Sequence, residues 1–280
     1  MGSRMAMNII KAGYQVTVWN WSAKAAEPLV GASATHAATP KEAAAGRDFF
    51  IAMLRDNDVS NKIWPDPDTG ALAGMNAGTV AIESSTLTVD WIRELGNQVA
   101  ARGFSLLEAP VSDSLPQAET ARLIYLVGGD EATLQKAEPL LKTMGSAIHH
   151  VGALGAGTLA KLTTNTLLGI QVTVLAQMMG MLKHADVDVA RIMAAVAATP
   201  IWSPIAQRLS NGMLARNFSP QFPAELIEKD FGYTMQAAGS PPATPMVSAA
   251  RGVFRKAIEH GFGKSNMTGV VQLYTVQKSE

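Results

Sequence analysis

Up to about Gly152 the chain alternates short apolar runs with helix-like stretches, and from about Leu154 onward no strand-like run occurs. That switch constrains the fold more than any other feature. The opening GSRMAMNIIKAG reads as an amphipathic helix stopped by Gly13, and the alternating run Tyr14 to Trp19 reads as a strand. SAKAAEPLVGA follows with Ser22 as N-cap, and TPKEAAAG places Thr39 before a first-turn proline, Pro40, with a stop at Gly46. DFFIAMLR and GTVAIESST are short apolar runs bounded by polar residues, the pattern of buried parallel strands. A helix over about Thr88 to Arg102 leads to FSLLEAPVS and RLIYLVGG. DEATLQKAEPLLKTMG then reads as a helix closed by Gly145, and AIHHVG as a last strand. Repeated β/α units predict a doubly wound α/β sheet with helices on both faces.

The remainder predicts an all-helical domain that begins with GAGTLAKLTTNTLLGIQVTVLAQMMGMLKHADVD. A helix apolar on nearly every side is expected to be buried on nearly every side, in a core or against a second subunit. The economical division is 1–152 and 153–280.

Charge and composition exclude several classes. Lys and Arg number 23 and Asp and Glu number 23, so no long-range field draws the chain to nucleic acid or an anionic membrane. There is no cysteine, hence no thiolate nucleophile or sulfur metal site, and the five histidines lie in no metal-ligand spacing. A soluble, cytoplasmic protein acting on a small molecule, without a metal, is the expectation.

One basic residue stands out. Lys161 lies in the apolar helix four residues before Asn165, on the same face, and the next basic residue is Lys183. A lone helical lysine is ordinarily solvated. Here exposure is hard to arrange, and burial lowers a lysine's pKa toward neutrality, as a proton donor requires.

Four stretches in order, MGSRMAMNIIKAGYQVTVWN, EAPVSDSLPQAET, GAGTLAKLTTN and KDFGYTMQAA, resemble the β-hydroxyacid dehydrogenase family. The glyoxylate/succinic semialdehyde reductase branch is the nearest in pattern. The resemblance implies a nicotinamide cofactor on a Rossmann-like domain. Gly2 aligns with the third glycine of the phosphate fingerprint, so the first strand and two glycines, about ten residues, would lie upstream of Met1. Without them the second strand would have to close directly onto the fourth. Gly2 read alone is equally a helix-start glycine.

Asn20, Trp21, Ser22 and Lys24 occupy the strand end that meets the adenosine ribose. No acid stands there to accept a free 2′-hydroxyl, which favours NADP, with NAD as the second candidate. As residues alone they are also ordinary turn formers. Met53, Leu54 and Thr86 are expected near the nicotinamide ribose, and Ser85 or Thr86 could equally cap the next helix.

By the same resemblance Lys161 protonates the carbonyl oxygen during hydride transfer and Asn165 holds the oxygen or the lysine. Ser112, Asp113 and Ser114 fall on the substrate-carboxylate segment. Asp113 and Ser114 stand where the family has glycines, and Gln117 and Ala121 replace a later glycine pair. Lys229 is assigned to the cofactor or the substrate carboxylate, and Asp230 orients that segment; in isolation such a pair is a surface feature. The implied activity is interconversion of a small carboxylate-bearing aldehyde or ketone and its 3- or 4-hydroxy acid, in a homodimer or homotetramer. An imine reductase-like enzyme, or a non-catalytic relative impaired in cofactor binding, are the rival expectations. Lys161 argues against the former.

Overall fold

The computed structural model describes residues 1–239 and 243–275. Contacts divide the chain into two compact units, Met1–Lys161 and Leu162–Glu280.

In the first unit, α1 (Gly2–Lys11) precedes β1 (Thr17–Val18), α2 (Ala23–Val30), β2 (Thr35–His36), α3 (Pro40–Ala44), β3 (Phe49–Ala52) and α4 (Asn57–Ile63). There follow β4 (Val80–Glu83), α5 (Val89–Ala100), β5 (Ser105–Glu108), β6 (Val111–Ser112), α6 (Leu115–Glu119), β7 (Leu123–Gly129), α7 (Glu131–Leu141) and β8 (Gly145–Gly152). The helix starts obey local chemistry: Thr39, Asp56, Thr88 and Asp130 each accept an N–H of the first turn with a side-chain oxygen. Thr88, not Ser85 or Thr86, caps α5.

The strands form a two-stranded parallel sheet, β1–β2, and a separate larger sheet. In the larger sheet β3, β4 and β5 are parallel, and β7 runs antiparallel to both β5 and β6. β8 pairs with β7 in parallel, along its other edge. The expected parallel sheet is therefore mixed. The link between β6 and β7 is the short α6 and a turn, too brief for the crossover that parallel neighbours need. Direct closure of β1 onto β3 does not occur; β1 pairs with β2 and β3 with β4. Gly145, expected to stop a helix, instead opens β8.

Both faces of the larger sheet are covered. Val80, Ile82 and Leu107 point into one cluster with Met5 and the α7 residues Leu134, Ala137, Leu140 and Leu141. Ala81 and Leu106 point the other way, into a cluster with Trp64, Leu95 and Val99. This period-two division explains why every residue of β4 is buried.

α8 (Ala156–His184) begins in the first unit and continues into the second. The second unit adds α9 (Val189–Ala197), α10 (Pro204–Leu214), α11 (Ala224–Ala237), α12 (Pro245–Glu259) and α13 (Gln272–Thr275). Its core joins Val172, Leu175, Ala176 and Met179 of α8 to Ile227, Phe231, Phe254 and Val270. The expected burial of α8 on nearly every side is not met within one chain. Leu167, Val174, Met178 and Met181 are 60, 44, 41 and 54% exposed, and at helical spacing they form one apolar stripe. By length and composition α8 is also long and apolar enough to cross a membrane, a test that soluble core helices pass as well.

Candidate active site

The N-terminus of α1 carries no side-chain cap and no acidic residue in its first turn. Its first N–H groups have no helical acceptor, and the helix dipole makes this end positive. Gly2 lies against the end of β3: a Cβ placed on it would stand 3.5 Å from Met53 Cβ.

Beyond β1 the chain turns through Asn20, whose Oδ1 accepts the Ser22 N–H at 3.0 Å. Trp19 and Trp21 meet edge to face at 5.1 Å, and Trp19 donates to the Ala38 carbonyl. Trp21 stays 68% exposed. Ser22 holds the N-cap position of α2 without spending its hydroxyl on the cap, and Lys24 sits exposed in the first turn. The first acid after the strand is Glu27.

The loops after β3 and β4 are joined by hydrogen bonds. Leu54 N–H donates to Ser85 Oγ at 2.6 Å, and Ser85 N–H donates to Glu83 Oε1 at 2.9 Å. Glu83 is fully buried, and its Oε2 accepts Ser60 Oγ at 3.0 Å and Trp64 Nε1 at 2.7 Å. Trp91 Nε1 donates to Ser60 Oγ, while Asn57 and Thr88 exchange two hydrogen bonds. Burial pushes the Glu83 carboxyl above the carboxylate range, against the pull of its hydrogen bonds from Ser85, Trp64 and Ser60. Thr86 follows this network directly, and the neighbouring Ser84 Oγ is buried with no hydrogen-bond partner.

A positive helix end without an acid in its first turn, an adjoining strand-end loop, a strand tip without a carboxylate and an orphaned buried hydroxyl suit a dinucleotide.

The segment around Ser112 is strained. Ser112 ends β6, Asp113 follows with φ of 80°, and Ser114 holds the N-cap position of α6, its N–H donating to Gln117 Oε1 at 3.4 Å. Ala121 has φ of 55°. Both Asp113 and Ala121 occupy the left-handed region that favours glycine.

On α8, Lys161 and Asn165 are 7% and 2% exposed. In the second unit Asn165 Nδ2 donates to Asp230 Oδ2 at 2.6 Å, and Lys229 Nζ lies 3.1 Å from Asp230 Oδ1. The lysine is also 4.8 Å from the Tyr233 ring centroid. The Lys229–Asp230 pair is no surface feature, with side chains 17% and 4% exposed. It holds Asn165 from α11.

The chain matches the NAD-binding domain of 6-phosphogluconate dehydrogenase over residues 1–152. Residues 155–274 match the NAD-binding domain of NADP-dependent 3-hydroxyisobutyrate dehydrogenase. It is 33% identical to an NAD-dependent L-serine dehydrogenase of Pseudomonas aeruginosa, across 98% of this chain and 94% of that one. The chain belongs to the β-hydroxyacid dehydrogenase family. It is also 30% identical to glyoxylate/succinic semialdehyde reductase 2 of Arabidopsis thaliana, over 100% of this chain and 78% of that one. The solved structure of Mycobacterium tuberculosis 3-hydroxyisobutyrate dehydrogenase with L-serine superimposes with a TM-score of 0.89 at 27% identity, covering 99% and 96% of the two chains. As a β-hydroxyacid dehydrogenase, the protein is an NAD(P)-dependent oxidoreductase acting on CH–OH groups.

Sequence reasoning gave no role to Glu83 or Glu108, the two carboxylates that end β4 and β5 as register partners. The available signal was an acid directly after three or more strand residues, in VAIE and SLLE, where a buried strand leaves its last side chain no route to water.

Folded Glu83 keeps its proton to higher pH than an unfolded glutamate does, so stability falls as pH rises from the ordinary carboxylate range through the raised value. Glu83→Gln removes that titration, and its melting temperature should gain on that of the unmodified protein across this window; parallel curves would contradict it. Asp113→Gly relieves left-handed strain, worth roughly 1–2 kcal/mol, partly offset by about 0.4–1 kcal/mol of added chain freedom in the unfolded state. Urea denaturation should show a gain of up to about 1.5 kcal/mol, and a clear loss would mean that the carboxylate holds the segment in place.

Proposed function

We propose that this β-hydroxyacid dehydrogenase is NADP-preferring and interconverts a small carboxylate-bearing aldehyde or ketone with its 3- or 4-hydroxy acid, using Lys161 as general acid and base. The observation that carries the reading is the buried Lys161 one helical turn from Asn165, itself held by Asp230 and Lys229.

The nicotinamide supplies or accepts the hydride when bound. The work of this chain is to hold the cofactor and the acid and to move one proton. Residues 1–152 carry the cofactor contacts: the α1 end at Gly2 for the pyrophosphate, and Asn20, Trp21, Ser22 and Lys24 for the ribose phosphate. Met53, Leu54 and Thr86 adjoin the nicotinamide ribose. The unspent Ser22 hydroxyl and the lack of a nearby carboxylate favour the extra phosphate of NADP. Lys229 serves the cofactor or substrate carboxylate, and Asp230 fixes both Lys229 and Asn165.

Charge develops on the carbonyl oxygen during reduction, and an ammonium at that point stabilises and then protonates it. The buried setting strengthens that interaction, since water no longer screens it. In the oxidative direction Lys161 takes the alcohol proton. Ser112 and Ser114 offer donors to the substrate carboxylate, while Asp113 disfavours the shortest anionic acids by like-charge repulsion.

Lys161→Ala should lower kcat by about a hundredfold or more with the Kd for NADPH nearly unchanged. Steady-state kinetics and fluorescence titration check this, and a variant of ordinary activity removes Lys161 from the mechanism. The apolar stripe of α8 supports a homo-oligomer in which a second copy covers it. Light scattering at micromolar concentration should give at least a dimer, and a monomer would contradict that arrangement.

A further inference from the structure

Glu108 ends β5, and at its level three strands lie side by side: Glu108 pairs with Gly128 of β7, and Gly128 with Gly152 of β8. The missing side chain of Gly128 opens a passage. A Cβ there would strike Glu108 Oε1 and stand 2.8 Å from the Ala153 carbonyl oxygen. A Cβ on Gly157 would strike the Leu126 carbonyl and stand 3.0 Å from Gly128 N. The two glycines let the first turn of α8 rest directly on β7.

Through this passage the carboxylate of Glu108 takes four hydrogen bonds. Oε1 accepts the N–H of Gly155 at 2.5 Å and of Gly157 at 2.9 Å. Oε2 accepts the N–H of Thr158 at 2.9 Å and its Oγ1 at 2.6 Å. N–H groups at a helix start have no helical carbonyl within reach, and in most helices the capping residue or water serves them. Here a side chain 47 residues earlier than Gly155, anchored in the sheet, does so. Lys161 follows Gly157 by four residues and Thr158 by three, which places it on the next turn of the same helix face.

We propose that Glu108 is a positioning residue for Lys161: by locking the first turn of α8 to the end of β5 it fixes where the lysine side chain begins. This rests on the reading of Lys161 as the acid and base. A misplacement of about 1 Å at a reacting group costs on the order of a hundredfold in rate, so the direction of the first turn matters as much as the lysine itself.

The test uses Glu108→Gln and the milder Thr158→Val, with Thr158→Ser as the conservative control. In the intact protein without cofactor, Lys161 is acylated by a small amine-reactive ester and its rate is followed by mass spectrometry against the exposed lysines. Glu108→Gln and Thr158→Val should each label Lys161 at least about fivefold faster, with the other lysines unchanged. They should lower kcat about tenfold or more while KM moves less than about threefold. Thr158→Ser should restore both values. If Glu108→Gln fails to fold, Thr158→Val against Thr158→Ser decides alone. Ordinary labelling of Lys161 in the folded variants overturns the proposal, even where the melting temperature falls. Should Lys161→Ala prove active, the catalytic reading fails separately, because the labelling result does not depend on turnover.

Discussion

A buried carboxylate at the end of β5 holds the beginning of the longest helix in the molecule. Glu108 turns four donors of the Gly155 to Thr158 segment toward itself, and β7 gives up a side chain at Gly128 to let it. Burial pushes this carboxyl above its usual range, opposed by the hydrogen bonds from Thr158, Gly157 and Gly155. Such a group is costly to bury and far more costly to leave unpaired, so the strand end, the glycines and the helix start stand or fall together. Lys161, which ends the first unit, inherits its direction from that junction.

The same device recurs. Glu83, the register partner of Glu108, gathers Ser60, Trp64 and Ser85, and through Ser85 it fixes the loop at Leu54. In the second unit Asp230 gathers Asn165 and Lys229. In each case an acid on one element sets the geometry of another. Within each unit the candidate residues are framed by polar contacts in otherwise apolar surroundings, where hydrogen bonds are strong and misplacement is expensive. The strained Asp113 belongs to this picture as a residue kept in an unfavourable backbone region beside Ser112.

Much of this was legible in the residues. The short apolar runs around VAIE and SLLE marked β4 and β5, and Thr39 before Pro40 marked the start of α3, because both patterns arise from local chemistry. Lys161 was legible as buried because the apolar helix around it has no charged face to turn toward water. Strand direction was not legible: RLIYLVGG reads the same whether it runs parallel or antiparallel, and only pairing with β5 and β6 decides it. The helix Asn57–Ile63 escaped notice because seven mostly polar residues carry little periodicity. Glu83 and Glu108 escaped because an acid at the end of an apolar run looks like the boundary with solvent. Tertiary burial, which no short window contains, makes them interior. The unsealed join between β1 and β3 is likewise a property of the whole ladder rather than of either strand.

The proposed activity is reduction of small carboxylate-bearing carbonyl compounds with NADPH. The loss of reduced-nicotinamide absorbance is followed with malonic semialdehyde, whose product is a 3-hydroxy acid, and with succinic semialdehyde, whose product is a 4-hydroxy acid, using NADPH and NADH in parallel at equal concentration. Turnover with at least one of these acids is expected, with a higher kcat/KM for NADPH than for NADH. Binding of neither cofactor and no turnover with either acid would contradict it.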